Sequence, residues 1–250
     1  MTSSTATTAW ADQELRIARA AVDAQLFDRA LATLQHVVSK DGAGEAAVDA
    51  HFLMASIHQR RGRMDDAMGT YLEIANRFKD HPRAPEALFS LAQSTLASRR
   101  SGKETDARRL FGEIASRYPQ SSWAPRALMA RAELEEKQKI YQRDEELGTS
   151  VPSALVTYRQ VITQYGGSAA TEAALWKLGR VYADIKRHEL AAQTFTSLAT
   201  RFPTTEYDAW FAAAEQYDKR LHDAARAQAA YAQVPPSSPE FKTAQKRLNR

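Results

Sequence analysis

The stretch from Leu175 to Pro203, LWKLGRVYADIKRHELAAQTFTSLATRFP, carries the pattern that decides the fold. In its second half Ala191, Phe195, Leu198 and Phe202 follow one another at steps of four, three and four, which keeps them on one face of an α-helix. Pro203 then stops that helix. In the first half Leu175, Leu178, Gly179 and Tyr182 lie sixteen, thirteen, twelve and nine residues ahead of Ala191 and form a second apolar face. A residue as small as Gly179 on such a face lets two helices approach closely. The stretch therefore reads as a helical hairpin.

Working outward, the phrase recurs with its phase intact. Ala107, Phe111, Ile114 and Tyr118-Pro119 make one copy, and Ala154, Tyr158, Val161 and Tyr165-Gly166 another. Ala67, Tyr71, Ile74 and Phe78 make a third, with Pro82 slightly later. Weaker copies stand at Ala30, Leu34, Val37 and at Ala224, Tyr231, Pro236. Successive phrases are 37, 40, 47, 37 and 33 residues apart. Against a unit of about 34 residues the excess falls between helices, where a stacked array tolerates it. The longest excess is the insertion Tyr141 to Ser150, YQRDEELGTS, which reads either as a loop departing from the repeat or as a lengthened helix. The expected architecture is all-α, a right-handed superhelical solenoid of about six helix-turn-helix hairpins. Their bounds are 11–40, 45–79, 83–119, 121–166, 168–203 and 204–236, with a capping helix at 239–249 and a disordered leader at 1–10.

Composition agrees. Ten Gly and nine Pro are too few for a many-turned β protein, and the Ala-rich segments favour helix. A net charge of +4, from 34 basic and 30 acidic residues, is too small to indicate nucleic acid. The absence of cysteine excludes disulfides, thiolate-ligated zinc and thiol catalysis, and it suits an oxidising compartment. No apolar run approaches the ~20 residues of a membrane span. The opening MTSSTATTAW has neither the basic nor the apolar region of a signal peptide. That leaves a cytoplasmic location, or an envelope location reached after removal of an export signal.

With Leu178-Gly179, Tyr182, Ala191, Phe195 and Phe202-Pro203 in place, the chain closely resembles the tetratricopeptide-repeat family over about residues 12–236. The junctions RYPQSSWAPRAL and RFPTTEYDAW are similar to those of the family's bacterial cell-envelope subclass. That subclass includes a TolA-binding division coordinator and a lipoprotein of the outer-membrane barrel-assembly machine. The chain has no lipobox cysteine and no trimerising coiled coil at its start. The resemblance implies that first helices line a concave groove that holds a protein or peptide. One groove position reads Phe52, Phe89, Met129, Trp176 and Ala209 along the repeats. Four residues further come Ser56, Gln93, Glu133 and Arg180, and eight further Arg60, Lys137, Asp184 and Tyr217. The large apolar members either pack between adjacent hairpins or form a binding stripe, flanked by Arg60, Glu133 and Arg180, with aromatic anchors. The mixed polar set does not match the basic-and-Asn clamp with which some family members grip a C-terminal carboxylate.

A second pattern is cationic. Arg61 and Arg63, then Arg99, Arg100 and Lys103, then Lys186 and Arg187 fall at turns inside the hairpins, with Lys137, Lys139 and Arg143 and with Lys219 and Arg220 in the equivalent places. Such residues either complement helix C-termini, for about 0.3–1 kcal/mol each, or make a basic edge facing an acidic partner. Nucleic acid is not expected, because no aromatics interleave with them. No catalytic, nucleotide or metal motif occurs, and no enzyme activity or cofactor is expected. The cluster Glu133, Glu135, Glu136 with Asp144, Glu145, Glu146 reads as a solvated helix face and loop. The expected function is a non-catalytic scaffold in a bacterial envelope complex. The alternatives are a cytoplasmic regulator or chaperone-like binder, and the solenoid part of a larger cell-wall enzyme. Oligomeric state is left open.

Overall fold

The computed structural model describes residues 2–42 and 44–249. In chain order the helices are α1 (Thr2–Asp23), α2 (Phe27–Asp41), α3 (Glu45–Arg60), α4 (Met64–Arg77), α5 (Ala84–Ala97), α6 (Lys103–Arg117) and α7 (Trp123–Lys137). Two short strands follow, β1 (Tyr141–Asp144) and β2 (Thr149–Pro152), then α8 (Ser153–Gln164), α9 (Ala169–Asp184) and α10 (His188–Arg201). The chain ends with α11 (Ala209–Glu215), a π-helical turn at Gln216–Leu221, α12 (Ala224–Ala232) and α13 (Phe241–Leu248). The all-α repeat expected from the phrase is present, with one small β-hairpin set into it. The segment 2–10, expected as a leader, lies within α1; Met1 is outside the described residues. Ala11 is buried, and Trp10 stands edge-on to His36 at 5.2 Å, which ties this end of α1 to α2.

The chain divides into two compact units, the first ending at Ala127 and the second beginning at Leu128. In the first, α1, α2 and α3 enclose Leu15, Val22, Leu34, Val37 and Ile57. In the second, α9, α10 and α11 close over Leu175, Leu198 and Ala209. Each fully buried Leu or Phe contributes about 1.5–3 kcal/mol by leaving water. Gly179 is needed where it stands. A Cβ there would meet the Phe195 ring at 2.5 Å, so the α9–α10 approach that the sequence suggested is real and tight.

Two turn designs repeat. Inside the hairpins the chain reverses through a left-handed residue at Gln25, Gly62, Gly102, Lys139, Lys186 and His222. At four of these turns, the next residue's amide reaches back five positions: Leu26 to Ala21, Arg63 to His58, Ile140 to Glu135 and Arg187 to Tyr182, at 2.8–3.1 Å. This is the Schellman arrangement, which satisfies the last carbonyls of the first helix. Between hairpins, Phe78, Tyr118, Tyr165 and Phe202 end the second helices. The amides of His81, Ser121, Ser168 and Thr205 then bond to those four carbonyls at 2.9–3.0 Å. The arginine of the junction phrase ties successive junctions. Arg77 donates to the Gly42 carbonyl at 2.9 Å and Arg201 to that of Gly166 at 2.7 Å, each 35 residues back.

The insertion is a β-hairpin and not a longer helix. Tyr141 pairs with Pro152 and Asp144 with Thr149. The helix stops at Lys137 because Lys139 is left-handed, and the Ser153 amide closes the hairpin base on the Ile140 carbonyl at 2.8 Å. Gly148, with φ at +65°, completes the turn.

Candidate functional site

The first helices position the sequence-selected side chains through their period. Phe52, Ser56 and Arg60 lie four residues apart on α3, as do Phe89 and Gln93 on α5. In the second unit Met129 and Glu133 share a face of α7, and Trp176 and Arg180 a face of α9. These faces are graded. Phe52, Phe89, Met129 and Trp176 are half-buried, whereas Arg60, Gln93, Glu133 and Arg180 are exposed. The apolar roots are engaged within their own units. Phe89 packs against Phe111 and Trp123 with ring centres 5.2 and 5.0 Å apart. The Arg83 guanidinium covers Phe52 at 3.8 Å, and Tyr207 stacks on Trp176 at 5.1 Å. Phe52, Phe89 and Trp176 are thus each covered by a residue from the following hairpin. Ala209, at the same position of the sixth hairpin, is buried, and so is Tyr217.

Three of the basic residues singled out at the inner turns, Arg61, Arg100 and Lys103, meet acceptors. Arg61 meets Asp28 at 2.6 Å and Arg100 meets Asp65 at 2.9 Å, each acid lying in the first turn of the preceding hairpin's second helix. Lys103 donates to the Ser98 carbonyl at 3.0 Å. Arg226, within α12, likewise reaches back to Glu189 in the first turn of α10 at 2.6 Å. Arg63, Arg99, Lys186 and Arg187 are exposed. Leu147, in the β-hairpin turn, lines a cavity of about 350 Å³ together with Lys186, Arg187 and His188. Exposed pairs of this kind contribute about 0–1 kcal/mol each, so they set register more than stability.

Within the acidic cluster Glu133, Glu145 and Glu146 are exposed as its composition suggests, but two members are not. Glu135 is 1% exposed and Asp144 4%. Glu135 accepts from Arg131 Nε at 2.8 Å and from the Thr157 hydroxyl at 2.7 Å. Asp144 accepts from Arg159 and, at 2.8 Å, from the Leu147 amide. Burial together with nearby Glu136 pushes the Tyr158 phenol far above its usual range. These pairings fasten the β-hairpin and α7 to α8. Buried carboxylates hold their place when cations and hydroxyls satisfy them in this way. Among the described residues no group of three or more His, Asp or Glu could hold a metal ion, and no helix is long and apolar enough to cross a membrane.

Sequence reading passed over a cleft at the junction of the fifth and sixth hairpins. Glu206, Tyr207, Asp208 and Trp210 line a cavity of about 310 Å³ there. The signal was present in RFPTTEYDAW, where acids and aromatics alternate, but only side-chain placement turns that alternation into a cleft.

A tetratricopeptide-repeat family model matches residues 15–79, and a second tetratricopeptide-repeat model matches residues 173–205. No curated protein matches the sequence. Among solved structures the chain is similar to that of pilF from Pseudomonas aeruginosa, with a TM-score of 0.50 and 13% identity over 96% of this chain and 99% of that one. It is also similar to PilW, described as a widely conserved type IV pilus biogenesis factor, with a TM-score of 0.46 and 16% identity over 94% of this chain and 98% of that one. MamA from Desulfovibrio magneticus RS-1 gives a TM-score of 0.49 and 16% identity, covering 83% and 97%. At 13% identity the likeness to pilF is one of fold alone.

Proposed function

We propose that this chain, a tetratricopeptide-repeat protein, is a non-catalytic scaffold that holds a protein or peptide segment against its first helices. The graded faces carry the reading. In each unit a half-buried apolar root, Phe89 or Trp176, is followed one turn later by an exposed polar tip, Gln93 or Arg180. Roots locked by the next hairpin fix the positions of the tips, which leaves little ordering cost for a partner. Because Phe89 and Trp176 also support the fold, the test falls on the tips. Arg60→Glu with Arg180→Glu is expected to weaken partner capture by about tenfold, or ~1.4 kcal/mol, with helical content and melting unchanged. Arg109→Glu, on the second-helix α6, serves as the control. Equal capture by the double variant and the wild type would overturn the reading.

The location that suits this scaffold is the bacterial envelope. The RYPQSSWAPRAL and RFPTTEYDAW junctions and the absence of cysteine support that placement. Fractionation of cells expressing the full native reading frame is expected to recover the protein with periplasm or outer membrane. Recovery in the cytosol alone would rule the placement out.

A further inference from the structure

The cleft between the fifth and sixth hairpins has a definite chemistry. One cavity, about 310 Å³, is walled by Pro203, Tyr207, Trp210 and Pro235, with Asp208 at its side. A second opening, about 540 Å³, shares Thr204, Glu206 and Tyr207 with it and adds Glu172. Among the described residues, three carboxylates and no Lys, Arg or His line the two. The local sign is therefore opposite to that of a chain whose net charge is +4.

The walls are held in place. Tyr207 lies nearly parallel to Trp176, at 13° between planes, and Trp210 packs on the core of Leu175, Leu198 and Ala209. The Ser238 hydroxyl donates to Asp208 and orients its carboxylate. A bare divalent ion does not suit the cleft, since these acids make no ion-holding group among the described residues. An anion meets the wrong charge. A guanidinium suits it well, being planar, weakly hydrated, able to stack on aromatic faces and able to donate to several carboxylates at once.

We propose that this cleft is a second interaction site, which takes an arginine side chain of a partner polypeptide between its aromatic walls and the carboxylates of Glu172, Glu206 and Asp208. The site extends the scaffold reading to the start of α9, where Glu172 stands two turns before the Arg180 tip, and it rests on that reading in taking the occupant to be a polypeptide.

The experiment uses the full chain and a capped Gly-Arg-Gly-Arg-Gly peptide, with a citrulline twin that keeps shape and loses charge. The readout is the nuclear magnetic resonance signal of the Trp210 indole N–H, assigned through Trp210→Phe. The arginine peptide is expected to shift that signal saturably, with the citrulline twin at least about fivefold weaker. Glu172→Gln with Glu206→Gln should weaken binding by about the same factor without changing the melting temperature. Asp12→Asn should bind as wild type. Absence of a saturable shift at millimolar peptide, or equal binding of the citrulline twin, would overturn the site. Loss of binding in Gln93→Lys, with the carboxylate variant unaffected, would move the arginine to the first-helix face. That result would overturn this site and leave the proposed scaffold function standing.

Discussion

Single residues decide how closely these helices approach. Gly179 faces the Phe195 ring, which is buried and braced by Trp176 at 5.2 Å, so it cannot retreat. Alanine would gain about 1 kcal/mol of helix propensity, but the overpacking costs about 1–3 kcal/mol. Gly179→Ala is therefore expected to lower the melting temperature in thermal unfolding followed by circular dichroism. An unchanged or higher value would show that the ring yields. His58 gives a second residue-scale prediction. Its imidazole is held below its ordinary 6.5, mainly by burial, while Asp66 opposes the shift and Arg63 and Arg61 add to it. The unfolded chain then binds the proton more readily than the folded one. Stability should fall as pH drops below about 6.5 and level off below the folded value. Melting at pH 7.5 and 5.5 should show a smaller acid loss in His58→Gln than in the wild type, and an equal loss would remove His58 as a cause. The glycine was legible from its spacing; the imidazole's burial was not, because it depends on which face α4 covers.

At the scale of elements, the junctions between hairpins were legible, and so were the places of the turns inside them, but not the conformation of those turns. Aromatic-Pro and aromatic-Gly pairs announce the ends of α6, α8 and α10. Left-handed turns normally announce themselves with glycine, yet Gln25, Lys139, Lys186 and His222 occupy that conformation here. At Gln25, Lys139 and Lys186 the Schellman hydrogen bonds hold it, at roughly 1 kcal/mol of strain per site. Lys186→Gly is accordingly expected to raise the melting temperature, since Gly62 already fills the same place in the second hairpin. A fall would mean that the lysine stem contributes more by packing than the backbone loses by strain. The β-hairpin was hidden for a related reason. YQRDEELGTS is too polar to look like a strand pair, and its stability comes from Asp144 meeting Arg159, a contact fifteen residues apart.

At the scale of the whole molecule, an array whose units touch only their neighbours should open locally rather than all at once. In Gly179→Ala, amide hydrogen exchange is expected to quicken in α9 to α12 while α1 to α6 keep wild-type protection. Uniform acceleration would indicate one cooperative block instead. The sequence alone determined that the chain is built of repeated helical hairpins, because a recurring period constrains every copy at once. Tertiary structure alone decided what the singled-out side chains do. Phe89 and Trp176 share a helical face with Gln93 and Arg180, and no spacing rule says which of them the next hairpin will cover. Glu135 and Glu206 are both acids in polar stretches, yet one is sealed against Thr157 and Arg131 while the other lines an open cleft. Periodicity fixes direction around a helix axis; burial and charge environment depend on what the rest of the chain brings to that side.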